Sequence, residues 1–330
     1  MIARFFGTAA VVAGMVGGTA AAAQEQGLPV VRLGLLQYGT VNWEAQTIIE
    51  EGLDEKHGFD LEIVPFAGGD ATKVALMAGH VDVTTDDWLM VSRQRAMGDP
   101  LVFIPYSTSI GAVMAPCDGD IQSLEDLEGK TLGVAGGPLD KSWLMLQGMA
   151  TEEGMDLPAA TTPVYGAPPL LAEKLRQGEL HAALNYWHYN ARLETEGYCE
   201  VISAQDAARA LGAEGDISAV GYVLNETWAD ENPELARGFV DASHDAKDVL
   251  AESDEAWERL REMTGAENEE VFQTLKQRWR EGIPTSTPTQ EREDTAIVYN
   301  ELAKIGGEQL VGPATEMAPG TFWSGLESGS

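Results

Sequence analysis

The chain has 330 residues, 44% of them apolar, and 53 acidic side chains stand against 21 basic ones for a formal charge of −32. That balance repels phosphate backbones and anionic lipid, which argues against nucleic acid or an acidic membrane face as a partner. It is compatible with a cationic ligand, although runs such as "AESDEAWERLRE" and "GAENEEVF" read first as solvated helix faces.

In chain order, residues 1–23 read as an export leader. "MIARFF" carries one arginine, "GTAAVVAGMVGGTA" is weakly apolar, and small residues in "AAAQ" place cleavage after Ala23. No later stretch approaches the ~18 apolar residues of a spanning helix. Apolar runs then alternate with helical patterns. "VVRLGLLQ" (30–37) predicts a strand. "NWEAQTIIEEGLDEKHG" (42–58) predicts one helix with Asn42 as N-cap and Gly58 as its stop. "FDLEIVPF" (59–66) is strand, "DATKVALMAG" (70–79) helix, "HVDVTT" (80–85) strand and "DDWLMVSRQRAMG" (86–98) helix. "LVFIPYSTS" and "IGAVMAP" add two strands. The βαβαβα order implies a parallel sheet with helices on both faces.

A second α/β unit follows. "SLEDLEG" (123–129) is a short helix, "KTLGVAG" (130–136) a strand, "DKSWLMLQGMATEEG" (140–154) a helix and "TTPVYGA" an extended stretch. "PPLLAEKLRQG" (168–178) opens a helix with proline, the favoured first-turn residue. "ELHAALNY" (179–186), "WHYNARLETEG" (187–197) and "YCEVIS" complete strand, helix and strand. "DISAVGYVLNETW" reads as a strand crossing back, and the remainder as amphipathic helices punctuated by glycine or proline. Two lobes result, 24–108 with 218–330 and 109–217. Cys117 and Cys199, the only cysteines, permit one disulfide in an exported protein. Five scattered histidines supply no zinc spacing, so no metal and no cofactor is expected.

Four stretches carry a family likeness: "LMAGHVDV", "SLEDLEGKTLGVAGG", "PPLLAEKLRQGELHAAL" and "NPELARGFVDASHDA". In order and spacing the chain resembles the solute-binding proteins of ABC importers, in the nitrate/sulfonate/taurine and thiamine-pyrimidine-like family. The resemblance implies a type II periplasmic-binding fold, with two α/β lobes, a double crossing, a ligand cleft and C-terminal helices. It implies a monomer in the periplasm that captures a small molecule and delivers it to an ABC permease in the inner membrane.

Ligands of open α/β sheets sit beyond the C-terminal strand ends, where helix N-termini converge. Here those corners are "QYGTVNWE", "TTDDW", "AGGPLDKSW" and "LNYWHYN", each with one tryptophan. The candidate ligand residues are therefore Thr40, Asn42 and Trp43; Asp86, Asp87 and Trp88; Gly136, Gly137 and Trp143; and Asn185, Tyr186, Trp187 and His188. For each acid the plainer reading is a helix cap, and for each tryptophan it is core. Aromatic faces beside carboxylates suit an amine or a flat heteroaromatic better than a sulfonate, because Lys141 is the only cation at these corners. The glycines before Lys141 offer backbone N–H groups to an anion instead. No GxSxG or adjacent Ser–His–Asp arrangement suggests catalysis. The related pyrimidine synthases carry a Cys-rich motif that is missing here. Acidity keeps a metal or metal complex open as an alternative ligand.

Overall fold

The computed structural model of the protein describes residues 27–329. The expected leader and its cleavage after Ala23 lie outside the described residues. In the first sheet β1 (Val30–Leu36) pairs in parallel with β2 (Asp60–Phe66) and β3 (Val83–Asp86). The helices α1 (Val41–Glu50), α2 (Leu53–Lys56), α3 (Gly69–Met77) and α4 (Trp88–Met97) connect these strands and β4 (Leu101–Ser107). In the second sheet β6 (Thr131–Ala135) runs parallel to β7 (Thr162–Gly166) and β8 (Ala182–Tyr186), with β5 (Gly111–Pro116) and β9 (Tyr198–Ser203) alongside. Its helices are α5 (Lys141–Glu152), α6 (Leu157–Ala160), α7 (Pro168–Arg176), α8 (Trp187–Glu194) and α9 (Ala204–Ala210).

The sheets are mixed rather than parallel throughout. β10 (Val220–Asn225) lies antiparallel between β3 and β4, and β5 lies antiparallel between β8 and β9. The physical reason is the double crossing. β4 ends where the C-terminal strand ends of the first sheet meet the second, so β5 begins at that end and runs back. β10 repeats the move in the other direction. Both sheets thus have the same order, β2-β1-β3-β10-β4 and β7-β6-β8-β5-β9.

The helix expected over 42–58 is two helices. Gly52 adopts φ +63°, which stops α1 before α2 begins. Asn42 does not cap. Thr40 holds the N-cap position, and the Asn42 amide donates to the carbonyls of Leu36 (2.8 Å) and Gly39 (2.7 Å), folding the β1–α1 corner. Residues Glu226–Glu231 form α10, followed by the amphipathic helices α11 (Pro233–Glu252), α12 (Asp254–Thr264), α13 (Glu269–Glu281) and α14 (Pro288–Val311). Among them α13 packs on α8, and α14 on α4 and α5, so the C-terminal helices touch helices that flank both sheets. Cys117, just after β5, is disulfide-bonded to Cys199 on β9, a pairing the sequence allowed without showing.

The core under the first sheet is not wholly apolar. Buried Glu44 on α1 accepts hydrogen bonds from Lys247 Nζ (2.6 Å), Ser243 Oγ (2.6 Å) and Tyr222 Oη (2.7 Å). The Lys247 ammonium also stands 4.6 Å from the centre of the Tyr106 ring. Burial pulls the Lys247 ammonium below its ordinary pKa against the opposing pull of Glu44. Breaking such a pair strands a buried charge, whereas replacing both partners does not. Lys247→Met is therefore expected to cost about 3–5 kcal/mol. The double variant Glu44→Gln/Lys247→Met should regain most of that loss in urea denaturation, and a double variant as unstable as the single one would contradict this account.

Candidate ligand-binding cleft

The C-terminal strand ends of the two sheets face each other across a cavity of about 690 Å³. From the first sheet's side come Tyr38, Thr40 and Asn42 of the β1–α1 corner, Asp70 and Lys73 of α3, and Asp86 and Asp87 of the β3–α4 corner. From the second come Asp140 and Lys141 at the start of α5, and Tyr186, Trp187, His188 and Tyr189 at the start of α8. The crossing segments add Ser109, Ile110, Ala219 and Val220.

Charge organises this cavity. Asp87 is the N-cap of α4: its Oδ1 accepts from Met90 N (2.7 Å) while its Oδ2 accepts from Lys141 Nζ across the cavity (2.7 Å). The cap and the site wall, posed by the sequence as alternatives, are one side chain. Burial alone would raise the Asp87 pKa, but the Lys141 ammonium and its hydrogen bond outweigh that and hold it below the ordinary value. Burial opposes the Lys141 charge too, yet Asp87 and Asp140 raise its pKa. Asp86 lies 3.4 Å from Lys73 Nζ and receives the backbone N–H of Asp87. Burial and the neighbouring Asp87 charge nevertheless push it up to about 6.

Asp140 caps α5, accepting from Ser142 N (2.9 Å), and its other oxygen accepts from Tyr186 Oη (3.3 Å). Burial raises Asp140, and burial with the Asp140 charge pushes Tyr186 up to about 12. Gly136 makes this contact possible. It sits at φ +80°, and a side-chain carbon there would fall 2.6 Å from Asp140 Oδ2 and 2.7 Å from Tyr186 Oη. His188 is pushed down to about 4 by burial and by Arg192, so it is neutral at ordinary pH. Asp70, Asp86, Asp87 and Asp140 thus face only two ammonium groups, Lys73 and Lys141.

Seven of the residues singled out by sequence line this cavity: Thr40, Asn42, Asp86, Asp87, Tyr186, Trp187 and His188. Gly136 lines an adjoining chamber, and Gly137 lies in the same turn at φ +121° without lining either. Three tryptophans go elsewhere. Trp88 is fully buried and donates Nε1–H to the Ser218 carbonyl (3.0 Å). Trp143 is buried in the core of the second half. Trp43 packs edge-on between Trp187 and Trp257, behind the wall. Each stands in the first turn of a helix on the side that packs inward, where an indole removes more apolar area from water than at a wet corner. Asn185 is also buried: its amide donates to the Pro168 carbonyl and its oxygen receives Tyr186 N–H. Sequence reading missed Tyr38, Asp70, Lys73, Asp140 and Tyr189. Of these, Asp140 had a legible signal, an acid just before a helix start. Among the described residues no group of three or more His, Cys, Asp or Glu side chains could hold a metal ion.

The family model described as NMT1/THI5 like matches residues 49–256. No curated protein sequence matches the chain. Solved structures that resemble it include the periplasmic aliphatic sulphonate binding protein SsuA from Escherichia coli. That pair shares 17% identity over 90% of this chain and 98% of the other, with a TM-score of 0.70. The alkanesulfonate-binding protein SsuA from Xanthomonas axonopodis pv. citri, solved with MOPS, is 15% identical over 89% and 98%, with a TM-score of 0.64. A zinc-bound ligand-binding component of an ABC-type import system from Staphylococcus aureus is 14% identical over 92% and 99%, with a TM-score of 0.62. At these identities the likeness is one of fold, and the chain has the periplasmic-binding-protein fold.

The Asp87–Lys141 contact is directly testable. Lys141→Met removes the ammonium that opposes desolvation of Asp87. The Asp87 carboxyl should then titrate at least about one unit higher, read by carboxyl ¹³C NMR against the unchanged protein. An unmoved titration would mean that the cap alone sets the Asp87 charge.

Proposed function

The chain belongs to the NMT1/THI5-like family, and from that premise we propose that it is the periplasmic solute-binding component of an ABC importer. As a monomer it captures a small organic ammonium compound or basic heteroaromatic between two lobes, 24–108 with 218–330 and 109–217. Lobe closure around the ligand then presents a shape that a membrane permease reads. The disulfide is consistent with an oxidising compartment. The role is binding rather than catalysis, and its nearest support is the family match together with the fold.

The observation that carries the ligand class is the charge of the wall. Four carboxylates and two ammonium groups line the cavity with Tyr38, Tyr186, Trp187 and Tyr189, and no arginine is among its lining residues. An organic cation gains from both the acids and the ring faces. A second reading has its own support. The N-termini of α1, α3 and α8 reach the cavity without a side-chain cap, and free helix N-termini favour anions. The printed function of the Escherichia coli neighbour, sulphonate binding, points the same way.

Asp86 separates the two readings by pH. Its carboxyl titrates near 6 in the free protein, so protonation below that pH removes one negative charge from the wall. A bound cation favours the ionised form and a bound anion the neutral one. Benzylamine and phenylmethanesulfonate, titrated calorimetrically between pH 5 and 8, should therefore respond oppositely. We expect the amine to bind with a steady Kd above pH 7 and to weaken below pH 6, approaching about tenfold per unit. A sulfonate that binds alone, and tightens as pH falls, would overturn the ammonium reading and leave Asp87 and Asp140 as caps.

A further inference from the structure

The Asp87–Lys141 contact is a partition as well as a bridge. A second chamber of about 580 Å³ lies behind it, and the two cavities share Lys73, Asp86, Asp87, Asp140, Lys141 and Tyr186 as a common wall. The chambers differ in character. The front one alone has Tyr38, Trp187, His188, Tyr189 and Asp70. The rear one is lined by Leu89, Met90, Leu139 and Leu310, with Arg93 and Gln309 as its remaining polar groups.

Arg93 is unusual in this acidic chain. The other described arginines, Arg237 and Arg292 aside, each hold a carboxylate, whereas Arg93 holds none among the described residues. Its stem is nevertheless positioned. A side-chain carbon at Gly312 would lie 2.9 Å from Arg93 Cγ, so the arginine packs against that glycine's backbone. Leu89, Met90 and Arg93 also fall on one face of α4, three and four residues apart. Arg93 stands six residues beyond the Asp87 cap, which along a helix is a rise of about 9 Å.

We propose that the rear chamber is a second subsite of the cleft, in which Arg93 receives a carboxylate at the far end of an elongated zwitterionic ligand. This rests on the preceding reading, since it places the ligand's ammonium group at Asp86 and Asp87. The ligand's ammonium takes over from Lys141 beside Asp87, its methylene chain lies along Met90 and Leu139, and its carboxylate meets the planar guanidinium. The ligand class is an ω-amino acid with its two charges well separated, rather than a simple amine.

Matched pairs of probes test this by calorimetry on the whole mature protein: 4-aminobutanoate, 6-aminohexanoate and 8-aminooctanoate against butylamine, hexylamine and octylamine. The six- and eight-carbon amino acids should bind at least about tenfold more tightly than their amines, and the four-carbon one should gain nothing. Arg93→Gln should abolish that gain while leaving the affinities of the simple amines unchanged. If the amines bind but the carboxylate adds nothing, or its gain survives Arg93→Gln, the subsite is overturned and the ammonium reading stands. If neither series binds, both fall together.

Discussion

A single carboxylate, that of Asp87, joins the two halves of the cleft. One oxygen satisfies a backbone N–H at the start of α4, which fixes where β3 ends and the helix begins. The other holds Lys141 from the far side. A helix cap has a demanding geometry, so the acid cannot drift toward its partner without freeing the helix end. The ammonium on α5 must come to it, and Asp140, which caps α5, fixes that position in turn. Two caps and one lysine thereby set the distance between two strand–helix corners that no backbone hydrogen bond connects.

Two ionic clusters divide the remaining work by their burial. Glu44 and Lys247 are sealed from water and gathered with Tyr222, Ser243 and Tyr106 into one satisfied network that anchors α1 on α11. That anchoring steadies the corner that presents Tyr38, Thr40 and Asn42. The cleft cluster has unequal numbers of acids and ammonium groups, and it meets solvent. A closed network with matched charges serves architecture. An open one with a charge to spare is where, on the proposed reading, a ligand supplies the missing partner. The contrast accounts for why burial and the neighbouring Asp87 carboxylate push Asp86 up to about 6: its contact with Lys73 is a long one.

The alternation of strands and helices was legible because period-two and period-3.6 apolar patterns are local properties of the chain. Strand direction was not, because β5 and β10 run backward only as a result of where the chain crosses between sheets. The corners that form the cleft were legible from the same alternation, which located Asp86, Asp87, Tyr186, Trp187 and His188. Which side chains at a corner turn toward the cavity was hidden. Trp88 and Trp143 have the same local context as Trp187, yet the first two face the core and the third a cavity. Lys73 was missed for a related reason. It lies in the middle of α3, away from any corner, and reaches Asp86 only after α3 packs beside β3. Asn42 was assigned the right corner and the wrong task, since an asparagine near a helix start can tie a loop as readily as cap the helix.

The disulfide has a consequence for how the protein is made. Cys117 and Cys199 are the only cysteines in the chain; one directly follows β5 and the other lies on β9, its neighbour in the second sheet. With two cysteines there is one possible intramolecular pairing, so the chain has no wrong bridge to form within itself. Its maturation calls for an oxidant and never for an isomerase to reshuffle bonds. The bridge also closes within one half, so oxidation can follow the folding of that half without waiting for α11 to α14 to be made. Formation of the bridge thus needs only an oxidant, and the bond ties together two segments of the same half.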